Sequence, residues 1–205
     1  MPKKTGVVLT AIGAVLIFSA LLLLFYTRYE DARAGEQAQE LVVSIRQEME
    51  ENRQEGIRQE FSAEEQALTG ESAVMMIDGY DYIGILTVPA LGLELPVMAD
   101  WDYQRLKMAP CRQFGGAETN DLVIAAHNYK SHFGDLYDLK PGDPVIFTGL
   151  DGHLTEYAVT RVTTLQPTEV DAVQNSDSEL VLYTCTYSGN SRIAAFCERV
   201  GKTEE

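Results

Sequence analysis

Leu182-Tyr183-Thr184-Cys185, followed seven residues later by Arg192, is an apolar run that ends on a thiol with a fixed cation beyond it. A thiol attacks as its thiolate, so it depends on a base or a positive neighbour. A base stands far upstream, where the run Leu122-Val123-Ile124-Ala125-Ala126 ends at His127. A Cys, a His and an Arg, two of them at the ends of predicted strands, point to covalent acyl-transfer chemistry.

Short strands flank this pair on both sides. Tyr82–Val88 is ended by Pro89, and Leu93–Met98 follows the turn at Leu91-Gly92. Asp100 is placed to cap a short helix through Met108. Pro141-Gly142-Asp143 turns into Pro144–Thr148, and Leu150-Asp151-Gly152 into Leu154–Val162. Leu165–Ser178 reads as a polar connection with one helical turn near Thr168, before Leu180–Thr184 and Arg192–Val200. Strands spaced roughly ten residues apart predict an all-β sandwich or barrel.

The N-terminal part differs. Gly6–Tyr26 is an uncharged, mostly apolar run of 21 residues, long enough to cross a bilayer as a helix. Lys3 and Lys4 precede it, which by the positive-inside tendency leaves the N-terminus cytoplasmic and the rest outside. A cleaved signal peptide is the rival reading. Its apolar region is usually shorter, and the loosely matching Ala32-Arg33-Ala34 lies well past the run. An uncleaved anchor is therefore expected over residues 1–28, with residues 6–26 in the lipid bilayer.

Residues 29–79 are expected to form an acidic helical stalk and linker. Tyr29–Glu60 is rich in helix formers and lacks proline. Leu41, Ile45 and Met49, with Val42, make a stripe so narrow that the helix is either solvated or packed on one side. Phe61–Gly79 reads as a linker broken by Gly70 and Gly79. Between Glu30 and Glu71 lie twelve acidic and four basic residues, about half of the chain's net charge of −15. Such a balance excludes nucleic acid as a partner, since phosphates need clustered Lys and Arg.

Cys111, Cys185 and Cys197 show neither a disulfide framework nor zinc spacing. A Cys111–Cys197 bridge would leave Cys185 free. The run Ile193-Ala194-Ala195-Phe196-Cys197 otherwise reads as a core strand. The acidic positions Asp171, Asp177 and Glu179 form no calcium loop. No metal and no cofactor are expected.

Residues 80–205 resemble the sortase catalytic domain, a membrane-anchored cysteine transpeptidase of Gram-positive surfaces. Tyr82-Ile83-Gly84-Ile85-Leu86-Thr87-Val88-Pro89 with Leu95-Pro96-Val97 resembles the family's opening strand pair. Ala126-His127-Asn128 falls where the family carries its histidine. Phe133, Leu136, Leu139 and Gly142-Asp143 resemble its F-x-x-L-x-x-L-x-x-G-D run. Leu182-Tyr183-Thr184-Cys185 resembles the T-L-x-T-C signature, with Val181 replacing the first Thr, and Arg192 resembles the family's arginine.

The resemblance implies a mainly β fold, an eight-stranded sortase β-barrel with short helices. It implies a reaction in which Cys185 attacks the Thr carbonyl of an LPXTG-like sorting signal and forms a thioester. An amine from a peptidoglycan precursor or a pilin then resolves it, anchoring surface proteins to the cell wall. In this scheme Cys185 is the nucleophile, His127 the acid and base, and Arg192 the partner of the oxyanion. Asn128, Thr184 and His132 are candidate substrate-binding residues. Arg199, near the far end of the last strand, is the weaker candidate arginine, and Trp101 is expected to pack the short helix onto the barrel.

A pilin-polymerising sortase is the alternative. Ile77-Asp78-Gly79-Tyr80 lacks the proline of the Asp-Pro-aromatic lid common in that class. Tyr80–Val97 and the His127-Asn128 pair look most like class B, though Leu165–Ser178 leaves little room for the long helix usual there. A membrane-tethered thiol peptidase and an inactive binding barrel are the remaining alternatives.

Overall fold

Each apolar run sends alternate side chains to opposite faces, so a sheet built from them can bury one face only by stacking or by closing on itself. The computed structural model describes residues 2–56 and 74–201. A helix α1 (Pro2–Gly56) precedes nine strands: β1 (Met75–Ile77), β2 (Tyr80–Val88), β3 (Leu93–Met98), β4 (Cys111–Phe114), β5 (Leu122–Ala126), β6 (Pro144–Gly149), β7 (Leu154–Leu165), β8 (Leu180–Cys185) and β9 (Arg192–Arg199). A short helix α2 (Asp171–Gln174) lies between β7 and β8.

The strands run in the order β1-β2-β3-β4-β5-β8-β9-β7-β6, and β2 also pairs with β6. That pairing closes β2 to β9 into the eight-stranded barrel. β1 is an addition, joined to β2 through Asp78 and Gly79, both at positive φ (51° and 81°). Two successive positive-φ residues are what a tight hairpin turn requires. The β3–β4 and β5–β8 pairs are parallel.

Closure depends on Gly84. It faces Val97 of β3 on one side and Gly149 of β6 on the other, beside a register shift in β2. Its φ is 153°, and a Cβ there would lie 2.2 Å from the Thr148 carbonyl oxygen. Only glycine lets β6 come this close.

Three clusters of the described residues make up the core. Leu86, Leu95, Leu122, Ile124, Leu180 and Leu182 fill the barrel interior with others. Val123, Val181, Ala194 and Phe196 pack on the outside of β5, β8 and β9, under Val173 of α2. β8 is therefore covered on both faces, which explains its unbroken apolar run.

The third cluster takes up one side of the stalk helix. Val42 and Ile45 of α1 are buried against Met75, Tyr82, Ile85, Met98 and Cys111, and Ala38 joins the barrel's main core. Fully burying Val42 and Ile45 stabilises the docked helix by about 1.5–3 kcal/mol each. Gln39 and Arg46 add polar contacts to Glu94 of β3. Ala34–Glu205 forms one compact unit and Met1–Arg33 another. In the latter, Val7 to Phe25 expose their large apolar side chains, and the helix is long and apolar enough to cross a membrane. Residues 61–73, most of the expected linker, lie outside the described residues.

Three local features differ from the sequence expectation. Cys-Arg-Gln-Phe shows no alternation, yet it forms β4. The helix expected over Asp100–Met108 shrinks to a 3-10 turn at Arg105–Lys107. Its free amides at Gln104 and Arg105 donate to Asp102, not Asp100, which instead pairs with Arg105 at 3.2 Å. The helical turn expected near Thr168 forms later, as α2.

Candidate active site

Two strand registers bring the predicted residues together. β5 and β8 are parallel and in step, with Ala126 opposite Thr184. His127 and Cys185 are the next residues on each chain, so they leave neighbouring strands at the same end, where strands lie about 4.8 Å apart. β9 runs antiparallel to β8, with Arg192 directly opposite Cys185. His127, Cys185 and Arg192 thus form one row across three strands. Thr184 is buried and its hydroxyl donates to the Ala126 carbonyl at 2.9 Å, tying the two strands one residue before the row.

Each member of the row has a distinct setting. Cys185 is exposed, as the last residue of β8. The His127 ring stacks on Tyr129, with centroids 4.0 Å apart and planes at 23°. Arg192 donates through Nη1 to the carbonyls of Gly189 and Ser191, both at 3.1 Å, so the β8–β9 loop holds the guanidinium.

The segment after His127 is anchored in the barrel. Phe133, Leu136 and Leu139 are all buried. Gly134 closes the turn: its N–H donates to Tyr129 at 2.8 Å, and a Cβ there would lie 2.7 Å from the same oxygen. Asp143 accepts the Lys140 amide at 2.8 Å, so the Gly-Asp pair is a turn device. From the other side α1 presses on this segment, since a Cβ on Gly35 would sit 2.9 Å from the Ser131 Cβ.

A groove of about 230 Å³ opens beside the row. Cys185, Arg192, Thr184 and Tyr183 line one part of it, and Leu165, Pro167, Val170 and Val173 of the β7–β8 connection another. Trp101, Tyr103, Leu106 and Gln113, with Ala125, Ala126, Gln166 and Glu169, complete it. The lining is mostly apolar, and burial pushes the Tyr183 hydroxyl's pKa up. A mostly apolar cleft with the exposed Cys185 thiol among its lining residues favours ligands that carry apolar groups.

The remaining candidates lie elsewhere. Neither His127, Asn128 nor His132 is among the groove's lining residues; Asn128 is half-buried next to His127, and His132 is completely buried. Arg199 sits opposite Tyr157, seven residues along β9 from Arg192, and donates to the Ala117 carbonyl at 2.9 Å. Trp101 packs against the α1-facing cluster, but it also lines the groove and meets Tyr103 edge-on at 4.9 Å. Sequence reasoning misses Tyr103, Gln113 and Tyr183 as lining residues; Gln113 carries no sequence signal at all.

The other two thiols lie inside the fold. Cys111 and Cys197 are free and buried, one in the cluster under α1 and the other in the barrel interior, so no bridge joins them. Burial pushes each thiol up to about 12.

Comparison with known proteins bears on the family and the fold. The family model described as Sortase domain matches residues 86–200. A curated relative named sortase A from Bacillus anthracis is 26% identical over 85% of this chain and 86% of its own. Another sortase A, from Listeria monocytogenes, is 27% identical over 90% of this chain and 85% of its own. Among solved structures, sortase C of Streptococcus pneumoniae superposes with a TM-score of 0.53 at 25% identity, covering 60% of this chain and 69% of its own. Sortase C-1 of Actinomyces oris does so with 0.52 at 25%, covering 67% and 81%.

Proposed function

This chain belongs to the sortase family of cysteine transpeptidases, and from that premise we propose that Cys185, His127 and Arg192 carry the reaction, on an LPXTG-like sorting signal, at the outer face of a membrane. The observation that carries the reading is the row itself: two strand registers align these three residues at one barrel end, beside a mostly apolar groove of about 230 Å³.

The Cys185 thiolate attacks the carbonyl carbon of the scissile peptide bond. The electron pair moves to oxygen, and the Arg192 guanidinium, held by the β8–β9 loop, stabilises that charge. Collapse expels the amine, which takes its proton from His127 and leaves a thioester on Cys185. A second amine then loses its proton to His127 as it attacks the thioester; the C–S bond breaks, Cys185 departs as its thiolate, and a new amide forms with His127 protonated again. The stacked Tyr129 ring keeps the imidazole oriented between the two steps.

The apolar helix near the N-terminus serves as a single-pass anchor over residues 6–26, with the N-terminus cytoplasmic and the barrel outside. The acceptor amine is that of a peptidoglycan precursor. A pilin lysine is the second reading, favoured by the likeness to the sortase C structures. Against it, Ile77–Tyr80 is a hairpin turn between β1 and β2. Thr184 lines the groove and ties the strand ends, and half-buried Asn128 stands next to His127, so both serve as substrate contacts, whereas the fully buried His132 offers substrate no exposed surface.

Full-length protein in detergent, mixed with LPXTG-type peptides and either triglycine or a lysine-containing pilin peptide, tests the reading by mass spectrometry. A peptide thioester on Cys185 and preferential transfer to triglycine are expected. Cleavage without amine incorporation would make the protein a thiol peptidase, and failure to cleave any such peptide would sink the enzyme assignment.

A further inference from the structure

We propose that Gln113 and Trp101 recognise the main chain of the acyl-donor peptide, an inference that rests on the reading of this groove as the peptide site. The β4–β5 ladder carries a fault. Cys111 faces Ala125 and Arg112 faces Ile124, but pairing resumes at Phe114 with Val123. Gln113 is the extra residue of a β-bulge, a device that re-aims one side chain out of the strand's alternation. Here the re-aimed side chain joins the lining of the groove that contains Cys185 and Arg192.

The Gln113 Oε1 atom is buried and accepts no hydrogen bond from the described residues. Trp101 lines the same groove, and its Nε1, also buried, donates to none of them. Native proteins seldom keep buried polar atoms unpaired without a use for them. Both residues line the cleft that holds the exposed thiol, each with a buried polar atom unpaired among the described residues. An extended peptide offers their complement, since every residue other than proline carries one N–H and one C=O. The Gln113 Oε1 accepts a peptide N–H, and the Trp101 indole N–H donates to a peptide carbonyl. A purely apolar ligand would leave both atoms unpaired, and a carboxylate would satisfy only the indole.

Trp101 is the only tryptophan in the chain, so intrinsic fluorescence reports directly from the groove. The full-length Cys185→Ala protein is titrated with an LPXTG-type peptide, alone and with Gln113→Leu added. The second change should weaken binding about tenfold while the melting midpoint rises or stays level, because an unpaired buried carbonyl is removed. Peptides N-methylated at one backbone amide at a time locate the partner. One methylation should weaken the Gln113 protein about tenfold and cost the Gln113→Leu protein nothing further. Trp101→Phe keeps a ring and removes the N–H; calorimetry should again show about tenfold weaker binding.

Unchanged affinity in both variants would overturn the proposal. So would a Gln113→Leu protein with a lowered melting midpoint and a loss insensitive to N-methylation, the mark of a structural role. Thioester formation on Cys185 in the otherwise unaltered chain separates the two ideas. If it occurs and Gln113→Leu binds like its parent, the recognition pair falls and the nucleophile stands. If Gln113→Leu weakens binding and no thioester ever forms, the nucleophile falls and the pair stands. Absence of any peptide binding would reject both.

Discussion

The two ends of the β8–β9 hairpin hold the same chemical group in opposite conditions. At the loop end Cys185 faces Arg192 and the thiol is exposed; at the open end Cys197 faces Leu180 and the thiol is buried. Each end also has an arginine. Arg192 is held by a loop beside the groove, whereas Arg199 donates to Ala117 and lies over the Tyr157 ring. The lesson is that reactivity here is a property of position along a strand pair. A thiol in the barrel interior has no room for a substrate and every reason to stay neutral; the same thiol at the rim has both room and a cation.

The sharpest way to break this contrast is to delete each thiol. Cys185→Ala should reduce peptide cleavage by at least about 10³-fold, and Cys197→Ala should leave turnover at 25 °C within about twofold while lowering the melting midpoint. Comparable activity in the two variants would dissolve the distinction between the ends.

The arginines come next. Arg192→Ala is expected to lower kcat about 10²-fold, as loss of an oxyanion donor does. Arg199→Ala should change kcat less than about twofold and cost about 1 kcal/mol of stability through its bond to Ala117. Steady-state kinetics and thermal melting measure both.

A third test concerns what supports the rim. Removing residues 1–71 strips Ala38, Val42 and Ile45 from the core. Such a truncation should be at least about 3 kcal/mol less stable than one beginning at Ala34, from the Val42 and Ile45 side chains alone. Chemical denaturation of the two proteins would show it; equal stability would mean that the docked helix contributes nothing.

The smallest effect is a pH dependence. The buried thiols Cys111 and Cys197 are pushed from 9.0 up to about 12. Their neutral form is favoured in the fold, so the stability they contribute is complete below pH 9. It is lost as pH rises toward 12, because the unfolded chain releases protons first. The melting midpoint should therefore fall across that window, and iodoacetamide at pH 8 should label Cys185 alone. Labelling of Cys197 in the folded protein at pH 8 would contradict its burial.

Much of the site is legible in the chain. Two apolar runs ending at His127 and Cys185 mark strand ends, and Arg192 opens the run that pairs with the second. Phe133, Leu136 and Leu139 are readable as a spaced apolar set, and the structure buries all three. β4 is not legible, since pairing with β5 outweighs the weak strand preference of Cys-Arg-Gln-Phe. The bulge at Gln113 is hidden for the same reason: it exists only as a mismatch between two strands. Asp102 caps the turn in place of Asp100 because the helix begins later than its pattern implies.

By itself the sequence determined the number and order of most strands, the apolar N-terminal segment, and which cysteine ends a strand. Those features follow from local patterning, where a period of two or a run of 21 uncharged residues is visible in one dimension. Only the tertiary structure decided that His127, Cys185 and Arg192 form one row, that α1 belongs to the barrel's core from Ala34 onward, and that Gln113 reaches the groove. Each of these depends on which strands lie side by side and in what register. That choice is made by the energy of packing the whole closed sheet, and no single segment encodes it.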